Sequence, residues 1–170
     1  AQRPLRITPD ALLSARAGRV TIRLESDLPI AVQLSASDAI RGDATGAGVN
    51  AAGRTAVLFA DAFLDRDTAG IVGFEELALH NPSDTAVLVR VVFYYSDGSA
   101  PGQIDVTLEA RESRTIDLHA PGSPALKDAL NFYSLGVFAD APVLALLTHW
   151  DLFQNGGWST FGSPLTGPPS

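Results

Sequence analysis

The sequence predicts an all-β protein, an antiparallel β-sandwich with one or two short helices in its loops. Three observations carry that expectation. Most segments alternate apolar and polar residues with period two. They are short and end at Gly, Pro, Asn or Asp, and the turns recur at close spacing, as sandwich strands require. Hydrophobic residues make up 46% of the chain and charged residues 18%, which excludes a disordered chain. At 170 residues the chain is one domain, or one and a half, and can bury a real core.

Taken in order, residues 20–25 alternate Val, Ile and Leu against Thr, Arg and Glu, and 30–34 follow after an Asp-Leu-Pro turn, which predicts a hairpin. Further strands are expected at 55–60, 74–79, 86–95, 104–110, 114–118, 133–138, 143–149 and 158–162. Turn signals at 80–84 (HNPSD), 96–102 (SDGSAPG) and 120–124 (APGSP) separate several of them. Two segments read as short helices. In SPALKDALN, at 123–131, Ser123 is placed to cap and Pro124 to open a helix. In TPDALLSARAG, at 8–18, Thr8 and Pro9 do the same and Gly18 ends it.

A partial internal repeat organises the chain. RLESDLPIAVQL (23–34) and GVFADAPVLALL (136–147) share an apolar run, Asp-x-Pro and a second apolar run, with Asp27 matching Asp140 and Pro29 matching Pro142 at one offset. Each copy follows a Ser/Thr-Pro helix signal and precedes a Gly-rich segment, GDATGAG at 42–48 and GGWSTFG at 156–162. The expected organisation is a half-module at 1–48, a complete sandwich module at 54–165 and a Pro-rich tail at 166–170.

The longer copy carries a resemblance. FADAF (59–63), ELALHNPSDTAVLVRVVFYYSDGS (76–99), EARESRTIDL (109–118), LGVFADAPVLALLTHW (135–150) and GGWSTFG (156–162) follow one another in an order that resembles the β-sandwich repeats found in tandem on secreted and cell-wall bacterial proteins. The resemblance implies an immunoglobulin-like sandwich with a structural role outside the cell and no catalysis. DAFLDRDTAGIVG, at 61–73, departs from the repeat pattern, which has a Gly-rich loop there.

Charge and composition narrow the partners. Nineteen acidic residues against 12 basic give a net charge of −7, so nucleic acid is not an expected partner. The longest apolar run, APVLALL, is strand-sized and far short of a membrane helix. Without Cys there is neither a disulfide nor a thiolate metal site. The chain opens at AQRP without Met, as cleavage behind a small-residue signal site would leave it, or as removal of a tag would. A secreted, cell-surface location is expected.

Candidate chemistry is sparse. GWSTFG, at 157–162, lacks the G-x-S-x-G spacing of a nucleophile elbow, so Ser159 is expected in a plain turn. His80, His119 and His149 share no metal-ligand spacing. Asp61, Asp65 and Asp67 form a weak calcium candidate, if they cluster in a loop. Trp150, Phe153 and Trp158 flank the polar stretch DLFQNGG and could present a face to a cell-surface glycan. No cofactor is expected.

The favoured function is a structural, non-catalytic extracellular subunit that self-associates into a filament or sheath by strand complementation. The half-module's apolar positions Val20, Ile22, Leu24, Ile30, Val32 and Leu34 would supply the contact. The alternative is a carbohydrate-binding or adhesive module built on Trp150, Phe153 and Trp158.

Overall fold

The computed structural model describes residues 24, 32–38, 43–49, 53–65, 73–126, 130–151 and 156–165. Among them run ten strands: β1 (Val32–Asp38), β2 (Asp43–Val49), β3 (Arg54–Asp65), β4 (Gly73–His80), β5 (Val87–Tyr95), β6 (Gly102–Leu108), β7 (Ser113–Asp117), β8 (Leu130–Asp151), β9 (Gly156–Phe161) and β10 (Ser163–Pro164). A single 3-10 turn at Pro124–Leu126 lies between β7 and β8. The protein is an all-β antiparallel sandwich.

Strand β8, 22 residues long, belongs to both sheets. Its first part pairs with β3 on one side and β5 on the other, giving the order β10-β3-β8-β5-β6. Its last part pairs with β4 and β9, giving β9-β8-β4-β7. The two strands expected at 133–138 and 143–149 are therefore one, and no hairpin forms between them. The Asp-x-Pro at 140–142 marks the corner where one strand leaves the first sheet for the second, the kind of bend by which sandwich strands change sheets.

The residues at that corner suit it. The Asp140 carboxylate accepts the Leu88 backbone N–H at 3.0 Å, beyond the last β5–β8 pair, Val89 with Ala139. Pro142 has no N–H to leave unpaired where the ladder changes partner. Gly53 packs against it so closely that an added Cβ would lie 3.1 Å from the Pro142 ring. The matching Asp27 and Pro29 lie outside the described residues.

The core follows from the alternation. Leu77 and Leu79 on β4, Val87, Val89, Val91 and Phe93 on β5, Leu135 and Val137 on β8, and Val143, Ala145 and Leu147 beyond the bend are all buried. Intervening residues such as Leu88, Arg90 and Tyr94 are exposed, as a pleated strand demands. Every residue of the described core lies between Val57 and Leu147.

One local expectation changes. Of the helix read at 123–131, the described residues show the 3-10 turn at Pro124–Leu126, with Ser123 Oγ accepting the Ala125 N–H at 3.2 Å, while 127–129 lie outside the described residues. Tyr95 donates its hydroxyl to the Pro124 carbonyl at 2.8 Å, and β8 already begins at Leu130. The Gly-rich stretch at 42–48 is largely strand β2, paired with β1 from Val32–Val49 to Asp38–Asp43. The helix expected at 8–18 and most of the hairpin expected at 20–34 lie outside the described residues.

The HNPSD turn has a mechanism. Asn81 is fully buried. Its Nδ2 donates to the carbonyls of Thr85, Leu108 and Glu109, and its Oδ1 accepts from the Ser83 N–H and hydroxyl. One amide thus ties the β4–β5 turn to the β6–β7 turn. Replacing Asn81 by Ala leaves several buried backbone groups unpaired and should cost about 2–4 kcal/mol. Thermal denaturation should read this as a fall in Tm of roughly 5–15 °C, and an unchanged Tm would refute the clasp.

Candidate functional site

Strand β4 runs Phe-Glu-Glu-Leu-Ala-Leu from Phe74. Because Leu77 and Leu79 face inward, alternation carries Glu75 into the interior as well. Its side chain is completely buried. A buried carboxylate needs compensating donors, and two strands supply three of them. Phe63 on β3 donates its backbone N–H to Glu75 Oε1 at 3.0 Å. His149 on β8, directly opposite Glu75 in the β4–β8 register, places Nδ1 3.0 Å from the same oxygen. Tyr133, also on β8, donates its hydroxyl to Oε2.

The backbone of Glu75 is held as firmly. Its carbonyl accepts the Leu118 N–H at 3.0 Å, just past the end of β7. Its N–H donates to His119 Nδ1 at 3.1 Å, so an imidazole stands in for the carbonyl that a longer β7 would have offered. His119 Nδ1 accepts, which puts that ring's hydrogen on Nε2. His149 faces a carboxylate, which can only accept, so its Nδ1 carries the hydrogen. Burial, Glu75's negative charge and the hydrogen bond to it all raise the Tyr133 pKa, keeping the phenol protonated and donating.

Aromatic rings pack around these groups. Trp158 on β9 lies opposite His149 and stacks on it, with ring centroids 5.5 Å apart and planes at 17°. Phe74 stacks on His119 at 5.4 Å and 9°. Phe63 sits 6.2 Å from His149, and Phe93 5.6 Å from Tyr133. Trp158, on the outer strand β9, keeps 36% of its surface exposed, and its ring covers the buried His149 on the neighbouring strand β8.

Of the residues singled out from sequence, Trp158 joins these rings. Trp150 pairs with Gly157 while Trp158 pairs with His149. Adjacent positions on β8 face opposite sides of a sheet, so Trp150 and Trp158 do not share one platform. Phe153 lies outside the described residues. Asp61 and Asp65 are not in a loop but on β3, about 13 Å apart along a strand, and Asp67 lies outside the described residues. Among the described residues no cluster of three or more His, Asp or Glu could hold a metal. Ser159 is on β9, not in a turn, with its hydroxyl 2.9 Å from that of Thr148. Val32 and Leu34 lie two apart on β1, opposite Val49 and Ala47; Leu24 is exposed; Val20, Ile22 and Ile30 lie outside the described residues.

Sequence reading missed Glu75 and the gathering of two histidines around it. The available signal was a charged residue at an inward position of an alternating strand.

No family model matches this chain. No curated protein matches it either. Solved structures do. A crystal structure of Thermotoga maritima 1070 is similar at 24% identity and a TM-score of 0.57, covering 68% of this chain and 98% of that one. The Anabaena sensory rhodopsin transducer aligns at 20% identity and a TM-score of 0.48, covering 57% of this chain and 97% of that one. The Thermotoga likeness is one of fold, and nearly all of that smaller protein fits within about two thirds of this chain. Among the described residues no helix is long and apolar enough to cross a membrane.

Two predictions test the cluster and its surroundings. Glu75→Leu alone strands the Tyr133 hydroxyl, His149 Nδ1 and the Phe63 N–H, and should cost about 3–5 kcal/mol. Adding Tyr133→Phe and His149→Phe to it should recover part of that loss in urea unfolding, because both stranded side-chain donors are then replaced by apolar groups and the Phe63 N–H alone of the three stays without its acceptor. The second concerns His80, whose Nδ1 lies 2.9 Å from Ser113 Oγ. Burial holds its pKa below the usual 6.5, with the Arg111 charge adding to the effect and the Glu112 backbone opposing it. The unfolded chain therefore takes up that proton first, and the stability His80 contributes is present above about pH 6.5 and lost as pH falls. Between pH 7.5 and 5 the Tm of His80→Gln should fall less than that of the unaltered chain; parallel curves would contradict this.

Proposed function

We propose that this chain is a structural, non-catalytic β-sandwich subunit that self-associates outside the cell, with its N-terminal half-module as the linking element. The carrying observation is the β1–β2 hairpin. It forms a two-stranded sheet of its own, and β2 runs beside β9 without entering that strand's ladder. Among the described residues no strand pairs with the outer edge of β1. An isolated two-stranded hairpin is marginally stable, and an open edge recruits another strand. Joined head to tail, such contacts that do not close make fibres.

Other features agree with this reading. The Glu75 carboxylate spends its hydrogen bonds on this chain's own donors, so it is a structural anchor and not a base facing a substrate. The resemblance to surface-protein repeats fits an extracellular setting. The glycan-binding alternative draws no support from Trp150 and Trp158, which face opposite sides of their sheet.

Removing residues 1–49 is the test. The core between Val57 and Leu147 stays intact, so the shortened chain should keep its cooperative melting. Negative-stain microscopy and sedimentation velocity should show open-ended assemblies for the full chain and none for the shortened one. A full chain that remains monomeric at high concentration, or a shortened chain that polymerises equally well, would overturn the proposal.

A further inference from the structure

The sequence repeat is also a structural one. Strands β1 and β2 pair from Val32 with Val49 to Asp38 with Asp43. The offset that carries Asp27 onto Asp140 carries the pair Gln33 with Gly48 onto Leu146 with Phe161, and Asp38 with Asp43 onto Asp151 with Gly156. Those are pairs of the β8–β9 ladder, and every pair between them corresponds in the same way. The connections, 39–42 and 152–155, are equally long. Strand pairing can slip by a residue and turn every side chain to the other face; here both hairpins keep one register. The β1–β2 hairpin is therefore a second copy of the last part of β8 with β9.

The two copies meet by their equivalent strands. β2 runs beside β9, and β2 is the copy of β9. A copy displaced by translation would set β1 against β9 instead. Equivalent strands meet when two copies face one another across a two-fold axis, as in an isologous dimer contact.

The edges of the module explain why this side is used. Edge strands are ordinarily blunted by charge or Pro. β6 carries Asp105, β7 carries Arg114 and Asp117, and β10 is a short strand ending in Pro164. β9, Gly-Gly-Trp-Ser-Thr-Phe, has neither charge nor Pro, and among the described residues its ladder is with β8 alone. Such an edge can still be protected by covering it, and the hairpin lies where a cover would.

We propose that the outer edge of β9 is a module-to-module contact, and that the β1–β2 hairpin occupies it in place of a second copy of the chain. The β8–β9 hairpin of a second copy has the same register as the present occupant, and strand addition draws its affinity from the main chain, so it fits the same seat. With the hairpin removed, two chains join β9 to β9 across a two-fold axis. Such a dimer closes on itself. It is distinct from the open-ended contact assigned to the free edge of β1 and does not depend on it.

The test uses residues 50–170, which keep the whole described core. Sedimentation velocity should find this shortened chain as a closed dimer. Thr160→Lys, at an exposed position of β9, places a lysine on each of the joined edges and should weaken that dimer at least about tenfold, with the Tm unchanged. In the full chain the edge is covered, so the same substitution should leave its oligomeric state, filament or monomer, as it was. A monomeric shortened chain, or a dimer indifferent to Thr160→Lys, would overturn the β9 contact. A full chain whose association Thr160→Lys weakens would overturn the cover. If the full chain forms filaments while the shortened chain stays monomeric, the self-association reading stands and this one falls.

Discussion

A single bent strand decides this architecture. Because β8 contributes to both sheets, neither sheet can move against the other without breaking a ladder at the corner. The sheets of a sandwich are usually joined by loops and by side-chain packing alone. Here a continuous main chain passes between them at Asp140–Pro142. The first sheet meets the bend through the Asp140 carboxylate on Leu88, and β3 meets it through Gly53 against Pro142. The relative position of Glu75, Tyr133 and His149 follows, since β8 supplies two of the three from opposite sides of its own bend.

That geometry explains why a carboxylate can sit in the core. A bare ionised Glu there would be prohibitively costly. Three donors from β3 and the two arms of β8 converge on it, so the polar cluster forms only when both sheets have closed. A buried polar set of this kind adds little net stability compared with well-packed apolar side chains. It does penalise mispacking, because a shift of β4 by one residue would put Glu75 on the outer face and leave Tyr133 and His149 without their acceptor. The cluster acts more as a check on register than as a source of binding energy.

Most strands were legible because period-two alternation is a local property. The valines of β5, from Val87 to Val91, announced themselves, as did Leu77 and Leu79 on β4. What was not legible depends on distant residues. Asp-x-Pro reads as a turn in isolation, and only the pairing of its flanks with four other strands makes it a corner. His119 and His149 looked scattered because the register that gathers them around Glu75 joins segments far apart in the chain. Trp150 and Trp158 looked like neighbours, and the parity of the β8–β9 register separates them. The 42–48 stretch stood out only as Gly-rich because glycines are poor strand formers, and pairing with β1 overrides that preference.

The shared strand also bears on how the molecule is made. β5 can pair with β6, and β4 with β7, from segments already emerged, but β3, β4 and β5 all wait for β8. Roughly 65 residues separate the end of β3 from the start of β8, about 3–13 s of synthesis at ordinary ribosomal rates. Through that interval the inward valines and leucines of the earlier strands lack the partner that covers them. The sandwich closes late, in one long-range step, and its most exposed moment comes before the strand that unites it has left the ribosome.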